Sequence, residues 1–198
     1  MRSFDSITDR LIIRDITSDD FTNLKSIYND QSILRHLAKI SFDDDAISER
    51  LSDMVNYRKL NLQLSSAIIE KKTNKFIGLV RVDFYPSLAY LREHNMQIKG
   101  IINDLGPGGH LQSAYLLSNY QNKGHMTEVM TLLIKHLAKD NIRYIFGSVN
   151  NKNVVARKLL NKFGFKYILT APVDLNPLGI PITVNKLHDE YFAIIEAK

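Results

Sequence analysis

Strand-like and helix-like hydrophobic patterns alternate along the first part of the chain. Residues 9–16, DRLIIRDI, alternate enough to predict a strand. Two segments follow in which apolar residues recur every three or four positions, which predicts two helices: TSDDFTNLKSIYND (17–30) and SFDDDAISERLSDMVNYRKL (41–60). Residues 62–85 then contain two β-rich runs separated by KKTNK, a pattern typical of an antiparallel hairpin.

The same alternation returns in the second part of the chain. LQSAYLL at 111–117 predicts a strand, and RYIFGSV at 143–149 is a nearly continuous apolar run, as expected of a buried strand. Between them, residues 124–139 predict a helix with one apolar face, formed by Met126, Val129, Met130, Leu133 and Leu137.

The last third of the chain predicts one more helix and two more strands. NNKNVVARKLLNKFGF (150–165) predicts a helix that aligns Val155, Leu159 and Phe163 and ends at Gly164. GFKYIL and HDEYFAII then have the composition of strands.

The pattern fails over about residues 84–110, where DLGPGGH is dense in turn-forming residues. Such a long irregular stretch is uncommon in a compact domain and is often functional. We therefore predict one domain over residues 1–198, of the mixed α/β type (α+β), with an irregular insertion at about 84–110.

Composition excludes several kinds of chemistry. The absence of cysteine removes disulfides, thiolate nucleophiles and cysteine zinc sites, and the six histidines show no HExxH spacing, so no metal site is expected. No apolar run is long enough for a membrane span and no secretory segment is recognisable, so a cytoplasmic location is expected. The net charge of +5 is compatible with nucleic acid, an anionic cofactor or an acidic substrate, but the basic residues are spread out, which favours a solvated basic surface.

Gly124 lies where the strand LQSAYLL gives way to a helical pattern. The first backbone N–H groups of a helix have no partners within it, and together with the helix dipole they form a site for anions. A glycine there permits a tight turn and the close approach of a phosphate, although a plain loop glycine explains this single residue equally well.

The segments YLLSNYQNKGHMTEVMTLLIKHL, IRYIFGSVNNKNVVARKLLNKFGF and TDRLIIRDITSDDFTNLKSIYND together resemble the GNAT superfamily of acetyl-CoA-dependent N-acetyltransferases. The closest resemblance is to the branch of RimJ/RimL-like ribosomal-protein N-terminal acetyltransferases. It covers most of the chain except about residues 84–110 and 171–187. It implies a twisted mixed sheet of six to seven strands with about four flanking helices, in which the fourth and fifth strands splay apart to admit acetyl-CoA.

The resemblance also implies a binding site for the cofactor. The family's pyrophosphate loop, R/Q-x-x-G-x-G/A, is matched by Gln121, Asn122, Lys123, Gly124, His125 and Met126. The strand SAYLLS is expected to carry a bulge beside the thioester and to offer backbone groups of Leu116, Leu117 and Ser118 to the pantetheine arm. Within the loop we expect Lys123 to be a phosphate partner, Met126 to pack in the core, and His125 to be exposed or a cation beside the phosphates.

The catalytic residues are less clearly specified. Asn153 matches a family asparagine near the cofactor sulfur, and it is also a natural N-cap for the following helix. The family's usual proton donors are replaced by Ala156 and Leu160. His110 is the best candidate for a base because an imidazole pKa suits neutral pH, although a solvated loop histidine is the simpler interpretation. Further candidates for the acceptor side are Glu70, Glu93, His94 and Asp104.

The predicted function is therefore transfer of an acetyl group from acetyl-CoA to a primary amine by direct attack in a ternary complex. The acceptor is a protein N-terminus or a small-molecule amine, and the protein is a monomer or homodimer. One alternative is a CoA-binding protein of the same fold with weak or lost catalysis. A less favoured one is a nucleic-acid binder that uses the basic helix NNKNVVARKLLNKF.

Overall fold

A computed structural model of the protein describes residues 3–37, 42–85, 107–172 and 187–195. Its strands are β1 (Ser6–Ile7), β2 (Leu11–Asp15), β3 (Gln63–Glu70), β4 (Lys75–Tyr85), β5 (Gly108–Leu116), β6 (Tyr144–Asn150), β7 (Lys166–Pro172) and β8 (Leu187–Ile194). Its α-helices are α1 (Phe21–Asn29), α2 (Gln31–Leu34), α3 (Asp44–Lys59), α4 (His125–Lys139) and α5 (Val154–Lys162). Within this part of the chain, no helix is both long and apolar enough to cross a membrane.

The described strands form one mixed sheet in the order β1, β2, β3, β4, β5, β6, β8, β7. Neighbouring strands are antiparallel except for β5 and β6, which are parallel. A parallel pair needs a crossover connection, and here α4 provides it. The only parallel pair among the described strands therefore lies at the centre of the sheet, with a helix N-terminus just beyond the end of β5.

The predicted fold class is confirmed. Each predicted strand and helix is present, and the structure adds the two-residue strand β1 and the single-turn helix α2. The predicted insertion is shorter than about 84–110, because β4 extends through Tyr85 and β5 begins at Gly108. GGH, which resembles a turn in sequence, is thus part of a central strand, and residues 86–106 lie outside the described ranges.

Helices cover both faces of the sheet and bury two apolar clusters. The α4 stripe predicted from the sequence is buried against one face, with Val129, Met130, Leu133 and Leu137 all at 0% exposure. On the other face, α1, α2 and α3 bury a second cluster that includes Leu24, Ile47 and Met54. The core therefore lies in two layers, and the sheet between them is fixed from both sides.

The predicted apolar face of α5 is only partly correct. Leu159 and Phe163 pack against the core as expected, but Val155 is 63% exposed and the buried residue of this helix is Leu160. Val155 lines a cleft between strands instead of covering the sheet. The first turn of α5 therefore faces a gap in the sheet, and periodicity alone cannot distinguish a gap from a core.

The parallel contact between β5 and β6 depends on a glycine. A Cβ atom at Gly108 would lie 2.0 Å from the Tyr144 ring, whereas one at Gly147, in the same ladder, would meet its nearest neighbour at 3.6 Å. We predict that Gly108→Ala lowers the free energy of unfolding by about 1–3 kcal/mol through overpacking. The matched control Gly147→Ala changes it by less than about 1 kcal/mol. Urea denaturation of both variants checks this, and equal effects would contradict the clash.

Candidate active site

A cleft opens where β5 and β6 separate. Their parallel register runs from Gly108 opposite Tyr144 to Leu111 opposite Gly147 and then stops, although β6 continues to Asn150 beside β8. The cleft has a volume of about 560 Å³, and its walls come from β5, β6, the α2 region, the start of α4 and one side of α5. The predicted splay of two central strands is therefore present.

A β-bulge lies at the point of separation. In the register with β4, Arg81 lies opposite Ser113 and Val82 opposite Leu111, which leaves Gln112 as one extra residue in β5. A bulge bends a strand and increases its local twist. It occurs at Gln112, immediately before the segment SAYLLS in which a bulge was predicted.

Beyond the bulge, alternate residues of β5 direct their backbone polar groups toward the cleft. The N–H of Leu117 donates to the carbonyl of Ile77 on β4, so by strand alternation the groups of Leu116 and Ala114 point away from β4. The Leu116 carbonyl accordingly accepts a hydrogen bond from Gln121 Nε2 at 2.8 Å. Of the three residues predicted to offer backbone groups, Leu116 is the one whose backbone groups point away from β4 and toward the cleft.

The other two predicted backbone contributors have internal partners. The Leu117 N–H belongs to the sheet, and the Ser118 N–H donates to Asp30 Oδ2 at 2.7 Å. Asp30 also caps α2, with its carboxylate accepting from the N–H of Ser32. The N–H groups of Leu117 and Ser118 thus fix the end of β5 to its neighbours, whereas Ala114 lines the cleft.

Gly124 begins α4 with a backbone conformation that favours glycine. Its φ is +80°, in the left-handed region, and its carbonyl accepts the first helical hydrogen bond from the N–H of Glu128. The three preceding N–H groups, on His125, Met126 and Thr127, have no intrahelical acceptor, and all three residues line the cleft. The sequence-based interpretation of Gly124 as the start of an anion site agrees with this geometry.

The residues before Gly124 shape the loop. Asn122 has a φ of +59° and lines the cleft. Gln121 Nε2 donates to Ser32 Oγ and to the Leu116 carbonyl, both at 2.8 Å, so this side chain braces the loop against α2 and β5. Lys123 is exposed, with its ammonium 5.7 Å from the centre of the Tyr120 ring.

Two predictions about the start of α4 have different outcomes. Met126 is 9% exposed and belongs to the core cluster, as predicted. His125 is only 6% exposed, and its Nδ1–H donates to the carbonyl of Tyr120 at 3.3 Å. The prediction of an exposed ring was therefore wrong, because the ring folds back under the loop. The alternative prediction, a cation beside the phosphates, stays a prediction.

Arg10 contacts the loop before α4, and sequence reasoning missed this residue. Its guanidinium donates to Glu128 Oε2 and to the carbonyl of Lys123, the latter at 3.0 Å. It therefore connects the start of β2 to the loop and to the first turn of α4. No local pattern signals a contact across 118 residues of sequence.

His110 lies on β5 at the apex of the cleft, in a hydrogen-bonded group. Its Nδ1 lies 2.9 Å from Gln112 Nε2, and its Nε2 lies 3.3 Å from Ser148 Oγ on β6. An amide nitrogen only donates, so Nδ1 accepts and the ring proton is on Nε2. Burial and the positive charge of Arg81 lower the pKa of His110 to about 4. The expected imidazole pKa near neutrality was therefore wrong, and so was the interpretation as a solvated loop residue.

Asn153 caps α5, and its side chain also lines the cleft. Its Oδ1 accepts from the N–H of Ala156 at 3.1 Å, as an N-cap does. Of the further acceptor-side candidates, Glu70 lies at the turn between β3 and β4, where its carboxylate accepts from Thr73. Glu93, His94 and Asp104 lie outside the described residues. No cluster of three His, Asp or Glu side chains suited to a metal ion occurs in the described ranges.

A family model described as an acetyltransferase (GNAT) domain matches residues 10–166. The chain belongs to the GNAT acetyltransferase family. A comparison with curated proteins finds no match. The predicted family, class of enzyme and acyl donor, acetyl-CoA, are thereby confirmed at the level of the family.

Solved structures share the GNAT fold over nearly the whole chain. The ribosomal-protein-S5-alanine acetyltransferase from Vibrio fischeri has a TM-score of 0.73 and 21% identity, covering 99% of this chain and 98% of its own. RimL, a ribosomal L7/L12 alpha-N-protein acetyltransferase in complex with coenzyme A, has a TM-score of 0.75, 12% identity and full coverage of both chains. MccE, a microcin C7 self-immunity acetyltransferase with acetyl-CoA and AMP, has a TM-score of 0.68, 14% identity and coverage of 95% and 94%.

At the two positions where the GNAT pattern usually has a proton donor, this chain has Ala156 and Leu160. Ala156 and Leu160 both line the cleft, and neither side chain has a polar atom. The polar side chains at the apex of the cleft are instead His110, Gln112 and Ser148. Ser148 was not singled out from the sequence, because a serine within a buried apolar strand gives no signal of its own.

The protonation of His110 is directly measurable. We predict that ¹⁵N NMR shows a neutral ring with its hydrogen on Nε2 from about pH 8 down to about pH 5. Since the folded pKa of about 4 lies below the ordinary value, the unfolded chain binds the proton first, and stability falls as the pH decreases from about 6.5 to about 4. The His110→Gln variant assigns the resonance and removes this contribution. A midpoint near 6.5 for His110 would contradict the lowered pKa.

Proposed function

We propose that acetyl-CoA binds in the cleft between β5 and β6 and that its acetyl group passes to a primary amine in a ternary complex. One observation carries this: the unpartnered N–H groups at the start of α4 and the exposed backbone edge of β5 lie in the same cleft. The first suits an anion, and the second suits a ligand with amide groups. Acetyl-CoA has both, in a pyrophosphate and a pantetheine arm.

The pyrophosphate is proposed to bind at the N-terminus of α4. The N–H groups of His125, Met126 and Thr127 and the helix dipole favour negative charge there. Gly124 keeps the approach open, since a Cβ there would meet only Arg10 at 3.7 Å. Arg10 donates to Glu128, so backbone donors provide most of the attraction. Among the side chains, Asn122 and Lys123 are the loop's nearest polar groups.

The pantetheine arm is proposed to lie along β5 beyond Leu111, where β6 no longer pairs with it. The backbone groups of Ala114 and Leu116 face that side, and amide groups of the arm hydrogen-bond to them as a neighbouring strand would. A β5 N–H near the bulge then donates to the thioester oxygen as negative charge develops on it. Asn153, on the opposite wall, is proposed to contact the cofactor with the part of its amide that does not cap α5.

The acceptor is proposed to be a protein N-terminus or a small-molecule amine. Its neutral nitrogen forms a bond to the thioester carbon, the carbon–sulfur bond breaks, and the proton released by nitrogen neutralises the sulfur. RimL and the Vibrio fischeri enzyme are named for ribosomal proteins, whereas MccE is named for immunity to microcin C7. These names support both classes of amine. A cytoplasmic location and a monomer or homodimer stay predictions.

Two alternatives remain distinguishable from acetyl transfer. A CoA-binding protein with weak catalysis is favoured by Ala156 and Leu160, which leave two cleft positions without a donor. Nucleic-acid binding through α5 is disfavoured, because the half-exposed Arg157 donates to the carbonyl of Asn151 and lies 3.4 Å from the carboxylate of Asp189. Its charge is therefore partly neutralised within the protein.

Calorimetry with acetyl-CoA, followed by an assay for released CoA thiol on a panel of amines, tests these functions. Binding with amine-dependent thiol release is expected. Binding without release on any amine would favour the CoA-binding alternative. Absence of binding to acetyl-CoA, with salt-sensitive affinity for oligonucleotides, would overturn the proposal in favour of nucleic acid.

The placement of the pyrophosphate generates a matched pair of substitutions. Gly124 and Gly164 have φ values of +80° and +78°, but only Gly124 borders the cleft. Gly124→Asp is expected to weaken acetyl-CoA binding at least tenfold, about 1.4 kcal/mol, because a carboxylate there repels phosphate. Gly164→Asp incurs a similar backbone strain and leaves the affinity unchanged. Equal dissociation constants for the two folded variants would reject this placement.

A further inference from the structure

A chain of hydrogen-bonded polar side chains crosses four strands of the sheet and ends at the apex of the cleft. It begins on β3, where Ser65 Oγ donates to Gln63 Oε1 at 2.5 Å, and both residues are buried. Gln63 Nε2 donates to Asp83 Oδ1 on β4 at 2.6 Å. Asp83 also accepts from Gln112, the bulge residue of β5. From Gln112 the chain continues through His110 to Ser148 on β6.

The direction of donation along this chain is fixed by chemistry. The two hydrogens of the Gln112 amide nitrogen are directed to the Asp83 carboxylate and to His110 Nδ1. The lone pair of the neutral imidazole is therefore already occupied. The remaining ring nitrogen carries a hydrogen, and the nearest acceptor is Ser148 Oγ. His110 is consequently arranged to donate toward the cleft and not to accept from it.

Charges around His110 favour the neutral ring. Arg81, on β4, acts electrostatically on both His110 and Tyr115 and so disfavours a second positive charge in the group. Asp83 does not offset this by direct contact with the ring, because Gln112 lies between them and its amide nitrogen donates one hydrogen bond to each. A general base needs an available lone pair and a pKa near the working pH, and this imidazole has neither at pH 7.

Ser148 occupies the position where the two strands part. Leu111 and Gly147 are the last pair in the β5–β6 register, and Ser148 is the next residue of β6. Ser148 lines the cleft, and its hydroxyl accepts from His110 Nε2 at 3.3 Å. A hydroxyl that accepts a hydrogen bond becomes a stronger donor through its own hydrogen. If acetyl-CoA lies along β5 with its pyrophosphate at α4, its thioester lies at the apex of the cleft.

We propose that Ser148 is a catalytic residue that donates a hydrogen bond to the CoA sulfur as the thiolate leaves, and that His110 and Gln112 position its hydroxyl. This role rests on the proposed function. As the amine nitrogen bonds to the carbonyl carbon, the electron pair of the broken carbon–sulfur bond moves to sulfur, where the Ser148 hydroxyl meets it. The amine proton then neutralises the sulfur, and Ser148 and His110 keep their own protons. The hydroxyl thus supplies the donor that Ala156 and Leu160 lack.

Steady-state kinetics of Ser148 variants test the catalytic role. Ser148→Ala is expected to lower kcat roughly 10²-fold, as for loss of a donor that acts in the transition state, while KM for acetyl-CoA changes little. Ser148→Thr retains a hydroxyl and is expected to keep most of the rate. A wild-type kcat in Ser148→Ala would overturn the proposal. If the loss is mainly in KM, or if Thr is as slow as Ala, the hydroxyl does not act on the leaving sulfur.

His110 variants separate a positioning donor from a base. His110→Gln places an amide N–H near the position of Nε2 but cannot take up a proton, so it is expected to exceed His110→Ala in kcat and to keep the pH–rate profile of the wild type. If both variants lose kcat equally, and if an inflection in the wild-type pH–rate profile is absent from both, His110 is a base and the assignment is overturned. Folding of each variant is checked by urea denaturation, and the Nε2–H tautomer is checked in the wild type by ¹⁵N NMR. A wild-type protein that fails to bind acetyl-CoA would instead contradict the proposed function.

Discussion

The site depends on the parallel pairing of β5 and β6, which stops at Leu111 and Gly147 although both strands continue. β5 remains paired with β4 as far as Leu116, and β6 remains paired with β8 as far as Asn150, so the two strands beside the gap are each held on their far side. A cleft of this kind leaves backbone polar groups without a neighbouring strand, which is costly unless water or a ligand satisfies them. Beyond Leu111, β5 thus has an unpaired edge within the sheet, and this edge is the one to which we propose that the pantetheine arm binds.

The bulge at Gln112 couples this backbone feature to side-chain chemistry. One extra residue in β5 changes the direction of the strand beyond Leu111 and brings the Gln112 amide between Asp83 and His110. Buried polar groups are tolerated when each is hydrogen-bonded, and here the donors and acceptors from Ser65 to Ser148 match one another along the chain. The same residue therefore contributes to opening the cleft and to orienting the ring at its apex.

At the other end of the cleft, where α4 begins, the loop is held by different contacts. Gln121 occupies the loop position that is often arginine in the GNAT pattern. Its amide nitrogen donates to Ser32 Oγ and to the carbonyl of Leu116, at the end of β5. Met126 fills the core beneath the helix, and His125 folds back toward Tyr120. The side chains of this loop thus fix its shape, while the helix N–H groups face the cleft. Such a loop attracts an anion through partial charges on the backbone more than through a formal charge pair.

The sequence by itself determined the order of the main elements, the apolar stripe of α4, the tight turn at Gly124 and the family, because each of these depends on residues close together in the chain or on motifs in a fixed order. Tertiary structure decided what depends on contacts across the sheet. His110 follows two glycines and resembles a loop residue, yet pairing with β4 and β6 makes it part of a strand and suppresses its charge. Arg10, Asp83 and Ser148 become site residues only when strands distant in sequence lie side by side, and Val155 is exposed only because two strands beneath it part. Local patterns record periodicity and turn chemistry, whereas burial, hydrogen-bond direction and pKa are set by neighbours that the chain does not place next to one another until it folds.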